Sequence, residues 1–90
     1  MYYVYFIRSR KDDSVYIGYT NELSKRLKQH NKGKTKSLRS KLPLDLIYYE
    51  VYFDKIIARK REIQLKKSWN EKEIILKRLK NKQTAPSSSG

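Results

Sequence analysis

The sequence predicts an α+β domain, sandwich-like, in which a three-stranded, mostly antiparallel sheet carries helices in the order β-β-α-β-α-α. Three segments are rich in β-branched and aromatic residues, which favour strands, and three others repeat apolar residues at helical spacing. The chain has 90 residues, enough for one small hydrophobic core and too few for two. We therefore expect a single domain.

The first two strands are expected to form a hairpin. Residues 2–8 (YYVYFIR) and 15–20 (VYIGYT) have strand composition and are separated by a polar turn. A register that pairs Tyr5 with Tyr16 would place two phenols side by side. Gly18 is costly inside a strand and indicates the close approach of a ligand or another backbone. The chain has eight tyrosines, so each can also be simply a good strand residue.

The three helices are predicted from their caps and apolar spacing. The first helix is expected to be capped by Asn21 and to run to about Asn31, with Gly33 as the stop. The second is expected to be capped by Asp54 and to run to about Ser68. The third is expected to open with a capping box of Asn70 and Glu73 and to run to about Asn81. A folded domain is thus expected over residues 1–81.

Two segments join or follow these elements. Residues 32–41 are expected to form a polar, basic loop, and residues 44–53 (LDLIYYEVYF) a third strand. Alternation would put Ile47, Tyr49, Val51 and Phe53 on one face of that strand. Residues 82–90 are polar without a hydrophobic period, so we expect a disordered tail, whose final Ser-Ser-Ser-Gly is either native or left over from cloning.

Charge points to the class of partner. Lysine and arginine number 22 against nine aspartates and glutamates, a formal net charge of +13. The basic residues run through the periodic segments, so the folded domain itself is basic, and nucleic acid is the commonest partner of such a surface. The alternatives are a ribosomal-type basic protein or a merely solvated lysine-rich surface.

The composition also excludes several classes. The chain has no cysteine, which rules out disulfides and thiolate metal sites, and one histidine, which rules out a multi-histidine site. Its apolar runs fall short of the roughly 20 residues of a membrane span. The N-terminus lacks the basic and apolar regions of a secretory signal. We expect a cytoplasmic protein with no membrane partner.

A carboxylate interrupts the apolar stripe of the second helix. The stripe consists of Ala58, Glu62, Leu65 and Trp69. Burying Glu62 there is costly unless a cation offsets its desolvation. That cation is either Arg59 or Lys66, at helical ion-pair spacing, or a metal ion, since one carboxylate plus waters is a normal way to hold Mg²⁺ beside a phosphate.

The first helix places two polar residues beside its apolar face. Arg26 and His30 are one turn apart, next to Leu23 and Leu27. The planar fork of Arg26 suits a phosphate, and His30 can donate to a phosphate or leaving oxygen. Surface solvation of Arg26 and a satisfied core-edge role for His30 are the alternatives.

Taken in order, these residues resemble the GIY-YIG nuclease family. Residues 3–5 (YVY) and 16–18 (YIG) resemble its signature, residues 21–31 (NELSKRLKQHN) its arginine- and histidine-bearing helix, and residues 58–62 (ARKRE) its glutamate motif. The similarity is greatest to the stand-alone bacterial single-domain branch, relatives of the catalytic N-terminal domain of the excision-repair incision subunit. Tyr3 stands where the family name has glycine.

The resemblance implies a metal-dependent endonuclease that hydrolyses DNA phosphodiester bonds, in structure- or damage-related DNA processing. It implies Tyr5 and Tyr16 at the reacting phosphate, Arg26 stabilising charge, His30 assisting, and Glu62 on one Mg²⁺ or Mn²⁺ ion. A phenol whose pKa the metal and Arg26 lower would take the proton of the attacking water. The sequence does not decide which tyrosine that is.

Further contacts with DNA, or with RNA, are expected from the basic loop. Its candidate contacts are Lys34, Lys36, Arg39 and Lys41. No additional DNA-binding domain is expected in this sequence, so specificity would come from this domain, a partner protein or self-association. Two other functions stay open: a non-catalytic nucleic-acid-binding module of the same fold, and a ribosome-associated basic protein.

Overall fold

The order of elements in the structure, a computed structural model that describes residues 1–82, confirms the predicted fold class. The strands are β1 (Tyr2–Ser9), β2 (Val15–Thr20) and β3 (Leu44–Tyr52), and the helices are α1 (Leu23–Asn31), α2 (Lys55–Lys67) and α3 (Trp69–Lys82). Of the predicted tail, residues 82–90, only Lys82 is among the described residues. Within residues 1–82 no helix is long and apolar enough to cross a bilayer.

The sheet has the strand order β2-β1-β3, and both pairs are antiparallel. Alternation along β1 sends Val4 and Phe6 to one face, where they pack against α2 and α3. It sends Tyr5 and Ile7 to the other face, where α1 and the segment before β3 cover them. The central strand therefore contributes to two cores, and β2 is a free edge beside both.

The hairpin register differs from the pairing considered from the sequence. Tyr5 lies opposite Gly18, and Tyr16 lies opposite Ile7. The direct pairing of Tyr5 with Tyr16 is therefore wrong. Because the offset is two residues, both phenols still belong to the same face of the sheet.

A bulge divides the faces of β3. The sequence predicts one shared face for Ile47, Tyr49, Val51 and Phe53, and that prediction is wrong. The register shifts by one residue between Phe6 and Ile7, which exchanges the faces of β3 beyond that point. Ile47 consequently packs against the Phe6 core, whereas Tyr49 lies opposite Tyr5 and is 50% exposed. Phe53 lies beyond the strand.

The segment before β3 is more regular than predicted. Within the expected loop of residues 32–41, a short 3₁₀ helix spans Lys36–Lys41. Leu38, at 6% exposure, anchors it to the core that contains Tyr5. Burial of this one leucine gives the segment a fixed place beside α1.

Helix caps are confirmed for α2 and not for α1. The Asp54 side chain accepts hydrogen bonds from the backbone N–H groups of Ile56 and Ile57, at 2.7 and 3.2 Å. The predicted Asn21 cap is wrong, because α1 begins one residue later, after Glu22, and no side chain caps it. The backbone N–H of Glu22 instead donates to the hydroxyl oxygen of Thr20 at 3.1 Å, in the turn that follows β2.

The third helix begins earlier than its predicted capping box. It starts at Trp69, and the backbone N–H of Glu71 donates to Ser68 Oγ at 3.4 Å. Ser68 and Glu71 have the same spacing as Asn70 and Glu73, so the cap lies two residues upstream. The Asn70 box is therefore wrong, and only a short kink separates α2 from α3.

A polar network fixes α2 and α3 to β3. Arg61 of α2 donates to both oxygens of Glu50, at 2.8 and 3.0 Å, and to Glu71 of α3 at 2.8 Å. The hydroxyls of Tyr48 and Tyr52 donate to Glu50 at 2.5 and 2.6 Å. Hydrogen bonds from this many donors stabilise the ionised form of the Glu50 carboxylate. The network therefore sets the position of the helix that carries Glu62.

This network predicts an acid-dependent loss of stability. Burial opposes ionisation of Glu50, but hydrogen bonds from Arg61 and the two tyrosines outweigh it and lower the pKa of Glu50 to about 2. Because the folded pKa lies below the unfolded one, the stabilisation is complete above about pH 5 and disappears as pH falls toward 2. Denaturant unfolding should show the Glu50→Gln variant less stable at neutral pH and converging with the wild type in acid.

Asp45→Asn is the matched control, since the Arg10–Asp45 pair is exposed on the surface and contributes little. A wild-type advantage over Glu50→Gln that stayed constant from pH 7 to pH 2 would contradict the assignment.

Candidate active site

One cleft of about 260 Å³ lies at the β2 edge of the sheet. It is lined by all five residues that the sequence predicts to be catalytic, namely Tyr5, Tyr16, Arg26, His30 and Glu62. They come from β1, β2, α1 and α2, and consecutive β2 residues from both faces of the strand also line the cleft. The edge strand thus lets side chains from the two layers of helices meet.

Gly18 makes room for Tyr5. A Cβ atom at Gly18 would lie 2.4 Å from both Cζ and the hydroxyl oxygen of Tyr5, closer than such atoms can approach. The sequence predicts a ligand or another backbone against this glycine, and the structure corrects this: the neighbour is the ring of Tyr5. The ring crosses the edge strand at this gap.

Gly18→Ala is expected to displace the Tyr5 ring and to lower both stability and cleavage. Overpacking of this kind costs about 1–3 kcal/mol, which denaturant unfolding can measure. In a Tyr5→Leu background the same substitution should cost little more, because the clashing ring is gone. An equal cost in both backgrounds would mean that Gly18 serves the backbone and not Tyr5.

Tyr5, His30 and Thr35 form a hydrogen-bonded chain. The Tyr5 hydroxyl oxygen lies 2.9 Å from Nε2 of His30, and Nδ1 of His30 lies 2.6 Å from the Thr35 hydroxyl. Tyr5 and His30 are each 3% exposed. Sequence reasoning missed Thr35, because only the folding of the 32–41 segment brings it to His30. The one hint in the sequence is that threonine carries a hydroxyl that can form a hydrogen bond.

Burial has the largest effect on the pKa values of Tyr5 and His30. It raises the pKa of Tyr5, with Arg26 acting in the opposite direction. Burial and then the charge of Arg26 lower the pKa of His30, so its imidazole is neutral at pH 7. Arg26 thus lowers the pKa of Tyr5 as expected, but without a metal ion the larger effect of desolvation outweighs it. A neutral His30 has one ring nitrogen that donates and one that accepts.

Arg26 and Tyr16 are the more accessible side chains of the cleft. Arg26 is exposed on α1, and its Nη1 lies a long 3.5 Å from the side-chain oxygen of Gln29. Tyr16 is half-buried, and its hydroxyl lies 3.5 Å from that of Ser14. Both contacts are at the limit of a hydrogen bond, so a phosphate can replace them at little cost.

Glu62 is buried at 8% exposure and paired with two cations. Nζ of Lys66 lies 2.8 Å from one carboxylate oxygen, and Nε of Arg59 lies 3.7 Å from the other. The ion-pair alternative left open by the sequence is thus present. It does not exclude a role for Glu62 as a metal ligand, since within residues 1–82 the oxygen facing Arg59 has only that long polar contact.

The predicted apolar stripe around Glu62 holds in part. Ala58 and Leu65 are fully buried, as expected. Trp69 is 68% exposed, so its place in the stripe is wrong. The reason is that α2 ends at Lys67 and Trp69 is the first residue of α3, so it does not continue the α2 stripe.

The donors of the cleft fit a hard divalent cation held by a single carboxylate. In residues 1–82 no group of three or more histidine, cysteine, aspartate or glutamate side chains is arranged to hold a metal. Glu62 is the one carboxylate that lines the cleft, and carboxylate oxygens suit Mg²⁺ or Mn²⁺. Mg²⁺ in particular keeps several waters and adds substrate phosphate oxygens to one or two carboxylates.

The four predicted DNA contacts of the 32–41 segment fall into two pairs. Lys34 and Lys36 are exposed. Arg39 instead donates to a backbone carbonyl of its own segment at 2.6 Å, and Lys41 forms an ion pair with Asp12. The first pair is therefore the better candidate for phosphate contact, and the second holds the segment in place.

Replacing Lys34 and Lys36 with alanine is expected to weaken DNA binding at all sequences while the fold stays intact. Each phosphate contact contributes about −0.9 to the slope of log affinity against log salt, so the slope should flatten by up to about two units. Arg39→Ala is the comparison. It should lower the free energy of unfolding and leave the salt dependence of DNA affinity nearly unchanged. An unchanged slope in the double variant would exclude this segment from the interface.

Comparison with known proteins identifies the family of this chain. The GIY-YIG catalytic domain family matches residues 1–83. A UPF0213 protein of Clostridium perfringens is 40% identical, over 84% of this chain and 82% of its own. The UPF0213 protein YazA of Bacillus subtilis is 34% identical, over 79% and 85%.

A solved structure supports the same relationship. The solution NMR structure of a UPF0213 protein from Bacillus halodurans matches with a TM-score of 0.54 and 32% identity, over 86% of this chain and 84% of that one. The family match covers nearly the whole chain and spans all five of the predicted catalytic residues that line the cleft. The chain therefore belongs to the GIY-YIG nuclease family, among the stand-alone UPF0213 proteins.

Proposed function

We propose that the protein is a metal-dependent endonuclease that hydrolyses phosphodiester bonds of DNA in the cleft at the β2 edge. The observation that carries the proposal is the meeting of all five side chains of the expected set in one cleft, with Tyr5 against a neutral His30. Because the sequence resembles the catalytic domain of the excision-repair incision subunit, we extend the proposal to structure- or damage-related processing of DNA in the cytoplasm.

The Tyr5–His30 pair is the proposed proton acceptor. In the tautomer in which Nδ1 of His30 donates to Thr35, Nε2 accepts from the Tyr5 hydroxyl. Tyr5 can then take a proton from water while its own proton moves to His30. Tyr16 has no basic side chain within hydrogen-bond distance among the described residues, which favours Tyr5 for this step and an orienting role for Tyr16.

The remaining residues handle charge. The water oxygen bonds to phosphorus and the bond from phosphorus to the 3′-oxygen breaks, which gives a 5′-phosphate and a 3′-hydroxyl. Arg26 supplies fixed positive charge to the phosphate as negative charge grows. Glu62 would hold the divalent cation, which when bound polarises the phosphate and assists the leaving oxygen.

One observation favours a second function. Lys66 and Arg59 already neutralise Glu62, which is what a non-catalytic nucleic-acid-binding module of the same fold would need. Such a module would bind DNA through its basic surface and leave it intact. A ribosome-associated protein would prefer RNA.

A panel of substrates separates these functions. The protein is incubated with flapped, branched, linear and supercoiled DNA and with RNA, each with Mg²⁺, with Mn²⁺ or with chelator. The nuclease proposal expects cleavage of at least one DNA form with metal only. Binding without cleavage in every metal-containing lane supports the module, and tight RNA binding alone supports the ribosomal function.

A further inference from the structure

A second groove, of about 570 Å³, runs beside the catalytic cleft between the first turns of α1 and α2. Tyr19 and Arg26 line both the groove and the cleft, so the two are continuous. The groove is separate from the 32–41 segment, none of whose residues line it. Its position leads directly to the proposed reacting phosphate.

Aromatic rings form the floor of this groove. Tyr2 and Tyr19 are neighbours on β1 and β2, with ring planes only 3° from parallel and centroids 6.2 Å apart. The Arg59 guanidinium lies 5.2 Å from the centre of the Tyr19 ring. Both tyrosines are half-buried, so part of each ring is accessible. A flat base can stack on such a surface.

Basic side chains form the walls. Lys25 and Arg26 project from α1, and Lys55 and Arg59 from α2, and all four are exposed. Glu22 is the one acidic residue that lines the groove. Cations beside an aromatic floor suit a single strand, whose phosphates can contact the cations while its exposed bases stack on the rings.

We propose that this groove binds single-stranded nucleic acid, as the unpaired arm of a DNA substrate, and guides it into the catalytic cleft. In a duplex the faces of the bases are stacked on one another, so they cannot stack on the tyrosine floor. A duplex can therefore bind the basic walls of the groove through its phosphates but does not use the floor. An unpaired base can use the floor and the walls together. The inference rests on the proposed nuclease function and specifies its substrate as DNA with a single-stranded arm next to the cut.

The experiment measures binding without cleavage. A labelled oligothymidylate and a blunt duplex are titrated with the full chain in chelator, and fluorescence anisotropy is followed across a salt series. The Lys25→Ala/Lys55→Ala variant should flatten the single-strand salt slope by about 1.4 units, at about 0.7 for each contact. Tyr2→Leu should weaken oligothymidylate binding by roughly 5- to 150-fold, the effect of losing one stacked base, and leave duplex binding nearly unchanged.

Lys60→Ala/Lys67→Ala is the matched control. It removes the same charge from exposed positions of α2 that do not line the groove, and it should leave the slope unchanged. The proposal is overturned if the groove variant behaves like this control, or if Tyr2→Leu weakens duplex and single strand equally. The lysine variant decides the matter even if Tyr2→Leu does not fold.

The outcome is independent of catalysis. A protein that passes these tests and cuts no DNA with Mg²⁺ or Mn²⁺ has the groove but not the nuclease function. A protein that cuts DNA with an unchanged rate after the lysine substitutions has the nuclease function but not the groove.

Discussion

Replacing Glu62 with glutamine is expected to nearly abolish metal-dependent cleavage and to leave DNA binding nearly intact. Glutamine keeps the shape of the side chain but removes the one carboxylate of the cleft, and with it the proposed ligand of the cation. Loss of one preorganised electrostatic group typically lowers the rate of the chemical step by about 10²–10³-fold. Single-turnover cleavage and anisotropy measure the two quantities separately.

The ion pairs of Glu62 require a control for stability. Glu62→Gln also leaves Lys66 and Arg59 without their partner, so denaturant unfolding must accompany the assay. Glu73→Gln, on α3 and outside the cleft, should cut normally. If Glu62→Gln is less stable but its folded fraction cuts at the wild-type rate, the carboxylate is structural and not a metal ligand.

Removing the hydroxyl of Tyr5 or Tyr16 is expected to slow cleavage with little loss of stability. Tyr5→Phe removes the partner of His30, which should cost about 1 kcal/mol in unfolding free energy. If Tyr5 accepts the proton of water, its variant should slow the cleavage step by roughly 10²–10⁴-fold. Tyr16→Phe should have the smaller effect of the two, because Tyr16 lacks the contact with His30.

The controls for this pair follow from the structure. Tyr52→Phe loses a hydroxyl that donates to Glu50 on the other face of the sheet, and Tyr49→Phe loses the hydroxyl of a residue that is 50% exposed. Tyr19, which lines the cleft, is unsuitable. Both controls should cut at the wild-type rate. Equal rates for all four variants under single-turnover conditions would remove support for a tyrosine-based site.

The sequence predicts the fold class well because periodicity is a local property. Alternation and helical spacing are visible in each segment alone, so β1, β2 and α2 have nearly the predicted bounds. The Asp54 cap is also local and is confirmed. The five cleft residues could be named together because the order of motifs along the chain resembles a known family, not because spacing reveals their distances.

The errors concern interactions between segments. The register of the hairpin and the bulge at Ile47 depend on which residues face each other across strands, and one extra residue exchanges two faces. Trp69 fits the helical spacing of α2, yet the cap at Ser68 starts a new helix at Trp69. Local patterns could not rank these competing arrangements.

The groove and the role of Thr35 were out of reach for the same reason. Tyr2 and Tyr19 become one surface only after β1 and β2 pair, and Lys55 joins them only after α2 packs on the sheet. Thr35 reaches His30 because the 3₁₀ helix folds back against α1. In each case the sequence contains suitable residue types without the contact that gives them a role.

The most direct test of the central claim is the identity of the DNA ends that the wild-type protein produces. A flapped DNA is incubated with excess protein under single-turnover conditions, with Mg²⁺, with Mn²⁺ or with chelator, and the new ends are identified by ligation and by mass. Hydrolysis in the cleft predicts 5′-phosphate and 3′-hydroxyl ends that form only with metal and form about 10²–10³-fold more slowly in Glu62→Gln. Fully bound DNA that stays intact with both metals, or cleavage at the wild-type rate in Glu62→Gln, would contradict the account.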